Sequence, residues 1–223
     1  MAKFHLSLCC FALLISGCVS APSNAQASAP FISCDQDPSR QKLRSKELQE
    51  IVDEDQKDRT PPIDWSKVQP RDELHRKRVG EIFGEGCFKT AEDYAAAALV
   101  YQHGSIPDHF FQTFLWAKRA VELGDPKQKW LMAAGIDRYL TKSGYKQLFA
   151  TQASKDGSNP CWCMEEIEST FPEKLRIEYG KKSTKEALQW VDSLNEGNSS
   201  CKPTPFCRKG LKNSPAGLVP GFW

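Results

Sequence analysis

The sequence predicts a mainly α protein: a compact bundle of about six short antiparallel helices with a disulfide-stapled irregular C-terminal region. Apolar residues recur at helical spacing in several segments between residues 41 and 195. The connections between these segments are short, which favours antiparallel neighbours. Four of the nine cysteines lie after residue 160, where helical periodicity is weak, so we expect disulfides to hold that region.

The first helix is predicted between about Gln41 and Asp58, because apolar residues recur there at helical spacing and two prolines follow. Its predicted core positions are Leu48, Ile51 and Val52. The second helix is predicted to open at Pro70 and to stop at the turn from Gly84 to Gly86. Its predicted buried positions are Leu74, Val79, Ile82 and Phe83.

The third helix begins at a capping box from Thr90 to Asp93 and continues through an apolar run, Tyr94 to Tyr101. Such a run predicts a helix that is buried on every side. We expect Gly104 to close it as a left-handed cap. The fourth helix is predicted from Pro107 to Leu123, capped by Gly124. Its predicted buried stripe is Phe111, Phe114, Leu115 and Val121.

Asp125 and Pro126 are typical of the start of a fifth helix, which is predicted to run through Leu140. Its middle, Trp130 to Ile136, is apolar on nearly every side. The segment 147–152 is predicted to be extended or a loop, and the region around Cys161 to be irregular.

A second capping box, Ser183 to Glu186, predicts a last helix that ends the helical domain (residues 41–195). Its predicted buried positions are Leu188, Val191 and Leu194. Residues 196–223 lack periodicity and form a predicted cysteine-containing basic tail. Its basic residues, interpreted as a solvated end, are Lys202, Arg208, Lys209 and Lys212.

The amino-terminal residues predict export. Lys3 precedes an apolar run from Leu6 to Ile15, which has the length of a signal-peptide core and is too short to span a bilayer. The following Ile15, Ser16, Gly17, Cys18 resembles the bacterial lipobox, which implies diacylglycerol on Cys18. Residues 1–17 are therefore predicted to be a signal peptide, and residues 18–40 the lipid-anchor site and a flexible tether.

Val19, rather than Asp, follows Cys18. By resemblance to enterobacterial sorting, this implies an outer-membrane lipoprotein that faces the periplasm. The alternative is cleavage after the small-x-small triplet Ala25, Gln26, Ala27, which would give a soluble periplasmic or secreted protein.

Six cysteines remain in the predicted mature domain after Cys9 and Cys10 leave with the signal peptide and Cys18 takes lipid; they are Cys34, Cys87, Cys161, Cys163, Cys201 and Cys207. An even set in an exported chain predicts three disulfides, and six cysteines allow about 15 pairings. Cys161 and Cys163 are too close to bridge each other, so each is expected to reach a different partner: Cys201 or Cys207, or else Cys34 or Cys87.

A four-thiolate metal site is the alternative use of these cysteines. Their spacings do not match paired CxxC motifs, and exported thiols tend to be oxidised. We therefore predict no metal and no cofactor. A net charge of +2 and a pI near 8.0 give no basic footprint for nucleic acid, so the predicted partners are the membrane, through Cys18, and an envelope protein.

Two of the predicted buried helices end in polar residues, which are Gln102, His103, Asp137 and Arg138. A buried carboxylate at Asp137 needs a partner, and the candidates are Arg59, Arg138, His103, Thr151 and Gln152. Such a cluster is typical of a ligand pocket or of an acid/base site with His103, Asp137 and Arg138 as candidate catalytic residues. The alternative, which we favour, is a hydrogen-bonded network that fixes helix packing. The other mature-chain histidines, His75 and His109, are expected at the solvent.

Four ordered strings are DQKDR (55–59), AEDYAAAALVYQHG (91–104), AKRAVELGDPKQKWLMAAGIDRYL (117–140) and TQ (151–152). They resemble a bacterial family of unknown function with DQxDR, QHG, DRYL and GTQ motifs, over Leu43 to Trp190. Ala150 replaces the glycine of the last motif. The resemblance supports the fold and implies binding roles for Asp55, Arg59, Gln102, His103, Asp137, Arg138, Thr151 and Gln152.

A weaker likeness, from Asp93 to Gly124, is to a single Sel1-type helical repeat, and by analogy it suggests a scaffold-like binding role. The sequence contains no recognisable catalytic motif, such as G-x-S-x-G or HExxH. The function we predict is therefore a non-catalytic envelope lipoprotein that binds a protein or a ligand. The alternative is a small hydrolase-like enzyme built on the His/Asp/Arg cluster, and the least favoured function is metal handling by the cysteines.

Overall fold

A computed structural model describes residues 33–155, 160–201, 206–207 and 210–223. These residues are mainly α, as predicted, with seven α-helices and two short strands. The predicted signal peptide, Cys18, the tether up to residue 32, and Lys202, Arg208 and Lys209 of the tail lie outside the described residues. In the part of the chain that the structure describes, no helix combines the length and the apolar character that a membrane span requires.

The elements follow one another as mostly short helices with a small hairpin late in the chain. Their bounds are α1 Pro38–Lys57, α2 Trp65–Gly84, α3 Ala91–Tyr101, α4 Pro107–Glu122, α5 Lys129–Lys142, β1 Ala153–Lys155, β2 Trp162–Met164, α6 Glu173–Gly180 and α7 Thr184–Leu194. A single 3-10 turn, Pro126–Gln128, precedes α5. Both predicted capping boxes are present, at the start of α3 and at the start of α7.

Helix α2 begins at Trp65, so the prediction that it opens at Pro70 was wrong. The Asp64 side chain accepts a hydrogen bond from the Ser66 amide and caps the true start. Pro70 lies inside the helix, where it has no amide N–H to donate to the preceding turn. Leu74, predicted to be buried, is 64% exposed. The buried face instead contains Val68, Asp72, His75, Arg76, Val79 and Ile82.

The two predicted glycine caps around α4 have different outcomes. Gly124 has φ +103°, as expected of a left-handed cap. Gly104 is not among the glycines with positive φ, so that prediction was wrong. The reason for glycine there is space, because a Cβ on Gly104 would lie 2.2 Å from the Cβ of His109. Two predicted core residues, Leu115 and Trp130, are 41% and 44% exposed.

Helices α3, α4 and α5 form the centre of the domain. Gly135 in α5 permits a close approach to α4, because a Cβ there would lie 2.9 Å from the Phe114 backbone nitrogen. Helix α1 packs on α3 and α2, and α6 packs on α5. The main core is continuous through these helices, and a smaller cluster of Ala150, Met164, Ala187 and Val191 joins the hairpin to α7.

The C-terminal region is held as predicted by disulfides, which pair Cys34 with Cys87, Cys161 with Cys201, and Cys163 with Cys207. Cys161 and Cys163 reach different partners, as expected. Two features were missed. Helix α6 fills a stretch for which no helix was predicted, and the closing residues pack on the core, with Val219 only 1% exposed and the Phe222 ring 5.6 Å from that of Phe149.

Candidate functional site

A cleft of about 460 Å³ opens where the C-terminal ends of α1 and α3 meet α2 and α5. Helix α2 contributes Trp65, Gln69, Asp72, Glu73 and Arg76. The other walls are formed by Arg59, by residues 102–105 and by Arg138. The cleft therefore brings together three arginines and one histidine from four different segments.

His103 lines the cleft and is fixed by Asp55, which lies beneath it. The His103 Nδ1 lies 3.0 Å from Asp55 Oδ1, and Asp55 is completely buried. Because an ionised carboxylate only accepts hydrogen bonds, Nδ1 carries the proton and donates it. The other ring nitrogen, Nε2, has no hydrogen-bond partner among the described residues and is not buried. His103 thus presents an Nε2 lone pair to the cleft when the imidazole is neutral.

Asp55 is held in turn by Arg59, which lies four residues later, just past the end of α1. Arg59 Nη1 donates to Asp55 Oδ1 at 3.0 Å, and Nη2 donates to both oxygens of Asp72 at 3.0 and 2.8 Å. One guanidinium therefore spans two nearly buried carboxylates and ties α1 to α2. This arrangement satisfies the charge of Arg59 within the protein.

Arg76 and Arg138 differ from Arg59 because neither makes an ion pair within the described residues. Arg76 is 8% exposed, and its Nη1 donates to the His103 carbonyl at 2.9 Å. Arg138 Nη1 donates to the Gln102 carbonyl at 2.6 Å, and Nε donates to Gln152 Oε1 at 3.1 Å. Burial lowers the pKa of the Arg138 guanidinium.

These two guanidinium groups still have free donors. A guanidinium carries five N–H groups, and neither Nη2 atom has a partner in the described residues or is buried. The backbone carbonyls of Gln102 and His103 fix both side chains in place. Arg76 and Arg138 together form a preoriented pair of cationic donors at the wall of the cleft.

Asp137, predicted to join His103 and Arg138, lies elsewhere. Its two oxygens accept hydrogen bonds from the amides of Leu148, Phe149 and Thr151 and from the Thr151 hydroxyl, at 2.7 to 3.2 Å. Burial raises the pKa of the Asp137 carboxyl to about 6, although these hydrogen bonds favour its charged form. Asp137 therefore organises the 148–151 loop, and of its predicted partners only Thr151 bonds to it.

The remaining predicted binding residues have supporting positions. Gln152 does not line the cleft but accepts from Arg138, and its own Nε2 donates to the Thr151 hydroxyl at 2.9 Å. Thr151 thus links the Asp137 loop to the residue that orients Arg138. The TQ pair does not face the cleft: Gln152 bonds to Arg138 of the cleft wall, and Thr151 bonds to Asp137 outside it.

Three residue types that can ligate a cation lie together next to the cleft, since ligand atoms of Asp55, Asp72 and His75 are within 4.8 Å of one another. Arg59 bonds to both of these carboxylates and provides the positive charge there. His75 is 8% exposed, so its predicted solvent position was wrong. It lies on the face of α2 that packs against α1, 3.3 Å from Glu54.

The contribution of α2 to the cleft was missed by the sequence analysis. Because the predicted helix began at Pro70, Trp65 and Gln69 fell outside it. The signal available was the spacing of Val68, Asp72, Arg76 and Val79 at intervals of four, four and three residues, which puts two charged residues on one face of a helix together with valines.

No family model, no curated protein and no solved structure matches the chain. The geometry of the cleft and the charges on its walls are therefore the basis for assigning a function.

Proposed function

We propose that this protein is an exported lipoprotein, anchored through Cys18 in the outer membrane and facing the periplasm, which binds a small anionic molecule in the cleft. The signal-peptide and lipobox patterns support the location, and three disulfides are compatible with an oxidising compartment. The resemblance to a family with DQxDR, QHG and DRYL motifs is consistent with a shared cleft, since each motif supplies a residue to it or just beneath it.

The observation that supports binding is the pair of arginines without carboxylate partners. Removing a charged group from water is costly unless an opposite charge or hydrogen bonds compensate. Arg76 and Arg138 are compensated by neutral groups, which are carbonyl and amide oxygens and, for Arg138, also the Phe110 ring. Both arginines line one cleft. An oxyanion such as a phosphate or carboxylate group would complete their hydrogen bonding and neutralise their charge.

Binding is tested by calorimetric titration of the mature protein, disulfides intact, with phenyl phosphate. Replacing Arg76 or Arg138 with Gln is expected to weaken binding by at least about tenfold, since a hydrogen bond to a charged group contributes about 1.5–3 kcal/mol. Lys at either position should restore part of the affinity, because charge returns without the guanidinium fork.

The matched control is Arg119→Gln. Arg119 is a half-exposed arginine of α4 that pairs with Glu122 and lies outside the cleft. Its variant should bind like the wild type. Thermal melts of all variants show whether the fold is kept. Absence of binding by the folded wild type, or equal loss in the Arg119 variant, would refute an anion site at these arginines.

A second candidate function is hydrolysis of a phosphate ester that binds in the cleft. The pairing of His103 with Asp55 favours this function. Asp55 fixes the Nδ1 proton, so Nε2 is free to act as a general base. In that reaction Nε2 takes a proton from water as the water oxygen bonds to the ester phosphorus. The P–O bond to the leaving group breaks, and the departing alkoxide takes a proton from solvent.

Turnover of bis(p-nitrophenyl) phosphate, followed as released nitrophenolate, separates the two functions. If the protein is an enzyme, His103→Gln and Asp55→Asn should each lower the rate by roughly 10²- to 10⁴-fold, the range for loss of a base or of its orientation. Arg119→Gln is again the control. Tight binding with no turnover in the wild type would leave the non-catalytic function.

A further inference from the structure

A second cavity of about 390 Å³ lies beside the cleft and shares three lining residues with it, which are Glu73, Arg76 and Ser105. Its own lining residues are Lys77, Tyr101 and His109. We call this cavity the second chamber. Arg76 therefore lies where the cleft and the second chamber meet. A group bound to Arg76 has space on both sides of it.

His109 presents a hydrogen-bond donor to this second chamber. Its Nδ1 accepts from the Ser105 amide at 3.2 Å. Burial, and then the charge of Arg76, lower the pKa of His109, so the neutral ring carries its proton on Nε2. That Nε2 has no partner in the described part of the chain and is not buried.

The chamber is built by the turn between α3 and α4. Gly104 leaves the space in which His109 packs. The Tyr101 hydroxyl donates to the Arg76 carbonyl at 3.2 Å, and the Tyr101 ring meets the His109 ring edge-on at 5.8 Å between centroids. Donor, ring and cation therefore hold defined positions around one space.

The space on both sides of Arg76 favours a phosphate with two substituents. Glu73 and Lys77 both line the second chamber, so their opposite charges offset each other there. A phosphodiester carries two substituents, whereas a terminal phosphate ester carries one. Trp65 lies at the wall of the cleft, is 54% exposed, and offers an apolar surface to one substituent.

We propose that the cleft and the second chamber together bind a phosphodiester, with its phosphate on Arg76, one substituent beside Trp65 and the other beside His109 and Lys77. This inference rests on the proposed anion-binding function and names its ligand class. The shared chemistry fits two sources, a phospholipid headgroup and a water-soluble diester.

The test compares phenyl phosphate with diphenyl phosphate, which differ by one ester substituent, in calorimetric titrations of the mature protein. The diester is expected to bind about tenfold more tightly, the factor that one added hydrogen bond or a small buried contact provides. His109→Ala and Lys77→Gln should each reduce this ratio toward one. Lys77 is exposed, so its variant keeps the test valid if the His109 variant does not fold.

Two further ligands distinguish the sources. Glycerophosphoglycerol is the deacylated headgroup, and dihexanoyl phosphatidylglycerol, used below its micelle concentration, carries short acyl chains. Tighter binding of the acylated compound indicates a lipid, and tighter binding of the deacylated compound indicates a soluble diester. Both depend on Arg76 in this proposal, so Arg76→Gln should abolish the difference.

The outcomes separate this inference from the proposed function. If phenyl phosphate binds through Arg76 and Arg138 but the diester gains nothing, or gains equally in the His109 and Lys77 variants, the two-chamber ligand is refuted and the anion site stands. If phenyl phosphate and all the diesters fail to bind the folded protein, both proposals fail.

Discussion

Neighbouring residues of one helix can have unrelated roles, as Asp137 and Arg138 do. Consecutive helical residues point about 100° apart. Arg138 faces the cleft, while Asp137 faces the 148–151 loop. The sequence predicted that a buried Asp137 needs a partner and offered Arg138 as one candidate, but the two side chains bond to different groups. It could not predict that the partners differ, because that depends on where the 148–151 loop lies in space.

The buried carboxyl of Asp137 leads to a pH prediction. Its pKa is 3.8 in the unfolded chain and about 6 in the folded protein. The folded state therefore binds the proton more tightly, and this contribution to stability is fully present below pH 3.8. It is lost as the pH rises through 6, and amounts to about 3 kcal/mol. The carboxyl carbon resonance of Asp137 in ¹³C-labelled protein should titrate with a midpoint near pH 6.

A matched variant tests the cause of this midpoint. Thr151→Val removes the hydroxyl that donates to Asp137 at 2.8 Å, and this hydrogen bond favours the charged form. The variant should therefore titrate at a higher pH than the wild type. A wild-type midpoint below 4 would mean that the four hydrogen-bond donors outweigh burial, and the predicted pH dependence would then be wrong.

At the scale of elements, the sequence predicted most of the helices but was less accurate about where each one begins. Capping boxes and apolar periodicity predicted the start of α3 and of α7. The start of α2 was misplaced because Pro70 resembles a first-turn proline. The cap at Asp64 identifies the true start, since its side chain bonds to the Ser66 amide. Short α6 has a weak periodic signal, and its burial of Arg176 depends on tertiary contacts.

The turn between α3 and α4 carries a prediction for Gly104. Gly104→Ala would place a Cβ 2.2 Å from the Cβ of His109, so α4 or the His109 side chain must move. We expect a loss of about 1–3 kcal/mol in the free energy of unfolding, the usual cost of overpacking, measured by urea denaturation. The His109 ring should also lose its hydrogen bond from the Ser105 amide, visible as a shift of its ¹⁵N resonances.

Gly84→Ala is the control, since a Cβ at this helical position meets nothing within 4 Å. It should leave the His109 resonances unchanged and raise stability by up to about 1 kcal/mol, because alanine favours helix. Equal stability of the Gly104 variant and the wild type would show that glycine is not required for packing at this turn.

At the scale of the whole molecule, the cleft joins residues far apart in sequence. His103 and Asp55 are 48 positions apart, and Arg138 and Gln102 are 36 apart. Composition and periodicity predicted the helices but not which ends would meet. The ordered motifs contain five of the residues that line the cleft, which are Arg59, Gln102, His103, Gly104 and Arg138. The α2 residues that line it, such as Trp65 and Arg76, lie in none of the quoted strings.

The number of disulfides was likewise predictable from the sequence, but their pairing was not. The number of cysteines predicted three bonds, and the short spacing of Cys161 and Cys163 predicted separate partners. Their assignment to Cys201 and Cys207 required the fold. The first pair, Cys34 with Cys87, links the segment before α1 to the end of α2. Each of these bridges therefore closes a loop of 40 to 53 residues. A disulfide lowers the conformational entropy of the unfolded chain, and it lowers it more when the closed loop is longer.

Intact-mass measurement on the native protein tests location and covalent state together. We expect a chain that begins at Cys18, carries the added mass of acyl chains, and is six hydrogen atoms lighter than its reduced form, two for each of the three disulfides. Cys18→Ala, the control, should lack the acyl mass and keep the disulfides. A chain that starts at Ser28 would indicate the alternative cleavage and a soluble periplasmic or secreted protein. Retention of Met1 with reduced thiols would refute export, because thiols stay reduced in the cytosol and the lipid is added only to exported chains.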